Sequence, residues 1–426
     1  MLTAGAARLD ITPPLGTPLR GFFTERRATA VHDPLHVRAF AVEHGGAGIA
    51  VAVCDLVSCA RTYLDRAKAL IAESTPLSPD RVLIACTHTH TGPETGDDTY
   101  TAWLSQRIAD AVRLAWERRE PAEAGWGAGE EHRVAFNRRY RMKDGSVRTN
   151  PGLANPDVVE PVGPIDPEVG LLCLRASDGH AIGVLANHAL HYVGTPDAQH
   201  AISADYFGCF ATLLQRMRGE EFVAALSNGA SGDINNIDVL GGARPKNDRY
   251  QHTERVAALI AAQALWAWHG ATFSGEAPVG AAMREVTLRR RPPPTQEDVA
   301  RAREIDARVA AGESVLMGDR SFARRVLRRN EESGAISTWV QALRIGDLAL
   351  VSAPGELFVE LGLEIKRRSP FGQTMVIELA NDGIGYIPTR RAFEEGAYEP
   401  EASALQPGEG ERVVETAVAL LEELHG

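Results

Sequence analysis

Positive charge is in deficit: 45 Lys and Arg stand against 56 Asp and Glu, a formal net charge of −11 over 426 residues. A surface of that sign repels phosphate backbones and anionic lipid, which argues against nonspecific nucleic-acid binding and electrostatic membrane docking. The local basic runs Arg138-Arg139-Tyr140-Arg141 and Arg289-Arg290-Arg291 read as solvated faces. Cysteine is scarce too, with five residues, an odd number, and no Cys-x-x-Cys pair. That pattern fits a reducing compartment better than a disulfide framework. No stretch reaches the ~18 uninterrupted apolar residues of a spanning helix. The opening Met1–Pro14 has no basic segment followed by an apolar one, so the expectation is no leader, no membrane anchor and a cytoplasmic location. Missing as well are a Walker-type phosphate loop, a strand-anchored Gly-x-Gly-x-x-Gly, a Gly-x-Ser-x-Gly elbow and a His-Glu-x-x-His helix.

What is present is an ordinary globular composition, 44% hydrophobic and 24% charged, long enough to bury a core without stapling metals. Any metal is therefore expected to serve chemistry. Short apolar runs alternate with amphipathic stretches, the pattern of an α/β fold. Strands are predicted at 49–54, 81–86, 169–174, 182–187 and 222–226, and helices at 61–73, 99–118, 205–218 and 249–268. A polar region with scattered Gly and Pro, 125–167, reads as long loops. After a strand at 282–288, Pro292–Pro294 breaks the chain, and Thr295 with Glu297 and Asp298 signals the start of a charged helix. Further strands are expected at 337–345, 348–352 and 374–379, with helices at 356–368 and 411–424. The expected architecture is a mixed central sheet flanked by helices, one large domain over 1–426 with a helical insertion at about 295–333.

Histidines cluster just after apolar runs, where ligands bind at the carboxyl ends of strands. Thr87-His88-Thr89-His90-Thr91-Gly92-Pro93 follows Val82–Cys86, and residues two apart on an extended segment share a side. Asn187-His188-Ala189-Leu190-His191 follows Ile182–Ala186, and His200 lies nearby. Imidazole is the commonest protein metal ligand, yet the sequence by itself does not choose among His188, His191 and His200. Ser231-Gly232-Asp233-Ile234-Asn235 offers a hydroxyl nucleophile and a supporting carboxylate, or simply a polar turn. Pro354-Gly355-Glu356 and Gly385-Tyr386-Ile387-Pro388-Thr389 close the set. Glu356 alone reads as a carboxylate answering a helix N-terminus.

Taken in order, these motifs resemble the neutral/alkaline (non-lysosomal) ceramidase family. The resemblance starts at Leu9-Asp10-Ile11-Thr12 with Gly21-Phe22 and includes Asn137-Arg138 and Ile165-Asp166-Pro167-Glu168-Val169; it ends near Tyr398. It implies one catalytic Zn2+ held by His88, His191, Glu356 and Tyr386, with His188 the fallback for His191. It implies further that His90 stands beside the metal as a proton shuttle. Tyr398 would face the scissile carbonyl, and Arg138 would position substrate. Two departures accompany it. Asn235 stands where ceramidases carry a serine, and the chain ends at Gly426, leaving no room for their C-terminal immunoglobulin-like domain. The implied activity is hydrolysis of a small-molecule amide (N-acyl) bond by metal-activated water. An esterase or lactonase on the same zinc, or a non-catalytic metal-binding homologue, is the alternative.

Overall fold

Ala39, Ala41, Ala50 and Ala52 alternate with Phe40, Val42, Ile49 and Val51. A strand sends such a series to opposite faces. The computed structural model, which describes residues 1–22, 24–96, 99–193, 199–241, 250–332 and 334–426, sorts the two sets onto two faces of one sheet. The alanine face packs against helices Arg61–Ser74 and Thr99–Glu117, small side chains letting helices approach closely. The bulky face packs against a second sheet.

The large sheet runs, in spatial order, Val223–Asn228, Ala181–His188, Glu168–Ala176, Glu120–Glu130, Leu2–Asp10, His36–His44, Ala47–Cys54 and Val82–Cys86. Its inner pairs are antiparallel and the pairs at its two edges are parallel. The second sheet holds Val279–Arg289, Ala335–Ile345, Leu348–Ser352 and Gln373–Ile377. Alternation is strict here too. Leu343, Ile345, Leu348, Leu350, Met375 and Ile377 point to the large sheet, while Ala342, Ala349, Val351 and Val376 meet helices Val359–Arg368 and Glu409–His425. On the far side of the large sheet, helices Asp205–Arg218 and Gln251–Gly270 complete the outer layer. The result is helix, sheet, sheet, helix. The mixed central sheet flanked by helices is as expected, and the face-to-face second sheet is new.

One short segment brings the sheet's two edges together. Glu378 N–H donates to Asn228 O (3.1 Å), Cys86 N–H donates to Leu379 O (3.1 Å), and Asn381 N–H donates to Ile84 O (2.8 Å). The strand end that precedes His88 and the end of Val223–Asn228, the neighbour of the strand that precedes His191, are thus tied to one anchor. The first apolar run and the second are far apart in sequence, but the fold makes them neighbours.

Two expectations fail for local reasons. The span 125–167 is not loop throughout: Glu120–Glu130 is a central strand, and short strands occur at Arg139–Met142, Val147–Thr149 and Val158–Pro161. The glycines that suggested loop are there for close approach. A Cβ on Gly125 would sit 3.0 Å from the Phe273 ring, and one on Gly129 3.0 Å from Gln263. The helix expected from Glu356 begins at Val359, because Glu356–Leu357 pairs in parallel with Tyr386–Ile387. Between Val279–Arg289 and Ala335–Ile345 the chain forms helices Gln296–Ala310 and Met317–Glu331. The Thr295 side chain caps the first by accepting the Asp298 N–H (3.1 Å). Val299, Ala302 and Ile305 pack on Ala323 and Val326. Among the described residues no helix is long and apolar enough to cross a membrane.

Candidate metal centre

His88 leaves its strand through an unusual backbone, φ +72°. The left-handed region disfavours a side chain with a Cβ, and it is held by Thr87 N–H to Cys54 O (2.9 Å) and His88 N–H to Leu56 O (2.8 Å). His88 and His90 therefore converge through a turn; the extended alternation expected from sequence does not apply. Asp205 fixes that turn. Its Oδ2 accepts the His90 N–H (3.1 Å) and the Thr89 hydroxyl (2.8 Å), and burial pushes its carboxyl up to about 7. From the opposite side Arg26 Nη2 donates to His90 O (3.0 Å), and the Phe22 ring meets the His90 ring edge to face at 5.8 Å.

His191 completes a buried cluster. His90 Nε2 lies 3.2 Å from His88 Nε2 and 3.0 Å from His191 Nε2. The fallback, His188, belongs elsewhere: its Nδ1 donates to Glu168 O (3.0 Å), beside Asp166 and Lys366. His200 lies at the surface, with its Nδ1 3.2 Å from Arg27 O. Burial, more than any other cause, lowers the pKa of His88, His90 and His191. They are neutral, the form that binds a metal.

The four other groups arrive from outside both large sheets. Glu356 and Tyr386 face each other as a register pair of two short parallel strands. Glu356 Oε2 lies 3.6 Å from both His88 Nε2 and His191 Nδ1. The Tyr386 and Tyr398 rings meet edge to face at 5.7 Å. Burial first, then Glu356, keeps both phenols protonated, with pKa values above the ordinary one. Arg138 is the hub. It donates to Glu399 Oε1 (2.6 Å), Gly232 O (2.7 Å), Tyr386 OH (3.1 Å) and His191 Nδ1 (3.1 Å). Burial opposes its charge, but Tyr386, Glu399 and Glu356 outweigh that effect and raise its pKa.

Proton bookkeeping shows what the cluster lacks. His88 Nδ1–H is committed to Val57 O (2.8 Å), so its Nε2 presents a bare lone pair. His191 Nδ1 accepts from Arg138, so a neutral His191 carries its proton on Nε2. His90 Nε2 can then satisfy only one of its two contacts. If protonated it opposes a proton on His191; if bare it opposes a lone pair on His88. Glu356 Oε2, also buried, has no hydrogen-bond partner. One imidazole contact left unsatisfied in either state, beside an unpartnered carboxylate oxygen, is a mismatch that a cation among these groups would resolve. His88, His90 and His191 form a group able to hold a metal ion. His90 is thus part of the cluster itself, closer in than a bystander.

The Ser231–Asn235 segment is scaffold. Ser231 donates to Glu378 Oε1 (2.6 Å), which also accepts from Asn228 Nδ2 (3.0 Å). Burial raises the Glu378 pKa well above its usual range. Asn228 Oδ1 in turn accepts the Leu190 N–H (3.1 Å), one residue from His191. Asp233 Oδ1 accepts the Val359 N–H at the start of its helix (2.9 Å), and burial pushes its pKa up to about 6. Asn235 spends its amide on Asn150 Oδ1 (2.5 Å) and the Ile237 N–H (2.9 Å). The sequence reading missed Asp205, Glu378 and Glu399. Only Glu399 left a signal, being next to Tyr398.

These distances separate the two histidine candidates by experiment. His191→Ala should lose bound metal in elemental analysis, while His188→Ala should retain it; the reverse result would move the centre.

No family model matches the chain. Over 253 residues it is 23% identical to the neutral ceramidase of Pseudomonas aeruginosa, covering 54% of this chain and 36% of that protein. It is also 23% identical to the neutral ceramidase of Mycobacterium tuberculosis, covering 94% of this chain and 73% of that one. The first of these matches spans little more than a third of the relative's length. The crystal structure of the Pseudomonas neutral ceramidase superposes with a TM-score of 0.78 at 20% identity, covering 99% of this chain and 74% of that one. A ceramidase complexed with C2 gives 0.76 at 18% identity, over 100% of this chain and 75% of that one. The double-sheet architecture is therefore the neutral ceramidase fold. In sequence the chain is similar to the neutral ceramidases, and it shares their fold.

Proposed function

We propose that the chain is a zinc-dependent hydrolase of amide (N-acyl) bonds. The observation that carries this reading is the convergence of His88, His90, His191 and the orphaned Glu356 Oε2 in one buried centre. The ceramidase relatives supply the reaction class. His88, His191, Glu356 and Tyr386 are the proposed ligands, and His90 is near enough to share the site. When bound there, zinc supplies Lewis acidity and a water whose pKa falls from 15.7 to about 7.

The chain's own groups do the rest. Tyr398, kept protonated by burial, is the hydrogen-bond donor to the carbonyl oxygen as charge develops on it. His90, kept neutral by burial, would accept the proton that the attacking water gives up and deliver it to the leaving amine nitrogen as the C–N bond breaks. Arg138 binds no metal; it holds His191 and Tyr386 in place through single hydrogen bonds. Asn235, where the ceramidase resemblance expects a serine, sets the chain apart from the ceramidases.

Tyr398→Phe should keep zinc and lose about 100-fold or more in kcat, the cost of one oxyanion donor. Matched N-acyl amide and ester substrates, assayed beside metal analysis, test the whole reading. A zinc-loaded protein that cleaves neither would overturn it, and cleavage of esters alone would make it an esterase.

A further inference from the structure

Two short strands, Pro18–Leu19 and Arg26–Arg27, pair antiparallel near the start of the chain. Leu19 also bridges to Pro93, just past the histidine motif. Two backbone bonds secure that seam, Arg20 N–H to Gly92 O (3.1 Å) and Glu94 N–H to Pro18 O (2.9 Å). Gly21 and Phe22 follow at once. Gly21 adopts φ +104°, and a Cβ there would lie 2.8 Å from His90 Cα and 3.0 Å from its Cγ. Only glycine fits so close an approach. Phe22 meets the His90 ring edge to face at 5.8 Å, and the Arg26 guanidinium lies over the Phe22 ring, 4.1 Å from its centroid.

Arg26 is costly to keep in this place. It is 3% exposed, and its hydrogen bonds go to carbonyls: Nη2 donates to Arg20 O (2.6 Å) and His90 O (3.0 Å), and Nη1 to Gln199 O (2.6 Å). Its Nε is buried without a partner. Burial pushes its pKa down to about 10, against the pull of Asp205. Desolvating a charge for neutral acceptors alone is unfavourable, and such departures from packing rules concentrate at functional sites. What Arg26 joins is the His90 carbonyl, the turn before Gly21 and the Phe22 ring. The His90 ring needs that support. An imidazole at a metal site is usually steadied by a hydrogen bond from its other nitrogen. Here Nδ1 is buried and makes none, although the Gly21 carbonyl favours a proton on the ring.

We propose that Gly21, Phe22 and Arg26 are positioning residues for the proton shuttle: Gly21 and Phe22 hold the His90 ring by packing, and Arg26 locks them to the His90 backbone. The proposal rests on the hydrolase reading above and deepens it. A proton reaches the leaving nitrogen only from a ring held at the right place and angle, so these residues act on turnover and touch neither metal nor substrate.

The test replaces Phe22 and Arg26 and follows an N-hexanoyl and an N-dodecanoyl amide. Phe22→Leu should lose about tenfold in kcat, less than the ~100-fold or more expected when His90 itself is removed. Its KM for both amides and its zinc content should stay within about twofold of the wild type. Phe22→Tyr, which keeps the ring, should retain most of kcat. Arg26→Lys, which keeps the charge but not the planar fork, should lose kcat as Phe22→Leu does. Nuclear magnetic resonance of the histidine-labelled protein gives a readout independent of turnover. The wild type should show one set of His90 ring signals, identified by their loss in His90→Gln, and Phe22→Leu a broadened or doubled set. A KM that rises with acyl length at unchanged kcat would make Phe22 a substrate contact and overturn the proposal. Loss of zinc in Phe22→Leu would overturn it too, by making the hairpin a support of the ligand set. Wild-type kcat in both Phe22→Leu and Arg26→Lys would overturn it while leaving the hydrolase reading intact. The expected His90 signals in a protein that cleaves neither amides nor esters would reject the hydrolase reading and uphold the restraint on the ring.

Discussion

Glu356→Gln is expected to lower zinc affinity at least about 100-fold, more than the 10–100-fold typical of residues supporting a ligand from outside. Glutamine keeps the size of the side chain and its place opposite Tyr386, so the two short strands should still pair. What disappears is the anionic oxygen 3.6 Å from both His88 Nε2 and His191 Nδ1. Two neutral imidazoles and a protonated phenol would remain beside the Arg138 guanidinium, an environment that repels a divalent cation. Equilibrium dialysis against buffered zinc measures the change, with circular dichroism confirming the fold. A variant that binds zinc as tightly as the wild type would remove Glu356 from the ligand set, leaving the three histidines as the centre.

The site was partly legible because ligand motifs are local. His88-Thr89-His90 and Pro354-Gly355-Glu356 each sit beside an apolar run, and a strand end is where α/β folds place ligands. What joins them is not local. Glu378, Leu379 and Asn381 bond to strand ends hundreds of residues away, and nothing in their own spacing announces it. The same reason explains the missed strands. Leu2–Asp10 and Glu120–Glu130 are rich in Ala and Gly, residues poor in strand propensity. Their pairing with neighbours on both sides decides their structure. Asp205 was invisible for another reason. It opens a helix, where an acidic residue reads as an ordinary first-turn charge, yet it spends its carboxylate on the His90 backbone.

Arg138→Met should be the most destabilising single change near the site, costing about 3–5 kcal/mol, because it leaves a buried carboxylate without its partner. Arg138 is 4% exposed and Glu399 0%, so water cannot take over the lost role. Glu399 would keep the Thr149 hydroxyl (2.7 Å) and a distant Arg139 Nε (3.8 Å). Gly232 O, Tyr386 OH and His191 Nδ1 would each lose a donor. Urea unfolding at constant m-value measures the loss as a shift in midpoint. The charge argument makes a second, sharper demand. In the Arg138→Met background, Glu399→Gln removes the stranded anion and should restore part of the stability, with a coupling of about 1–3 kcal/mol in the double-mutant cycle. Additive losses would mean that Arg138 contributes through packing and its carbonyl contact with Gly232, and that the ion pair is incidental. Zinc binding separates the roles: a supporting arginine that orients His191 and Tyr386 should, when replaced, weaken zinc by 10–100-fold without abolishing it.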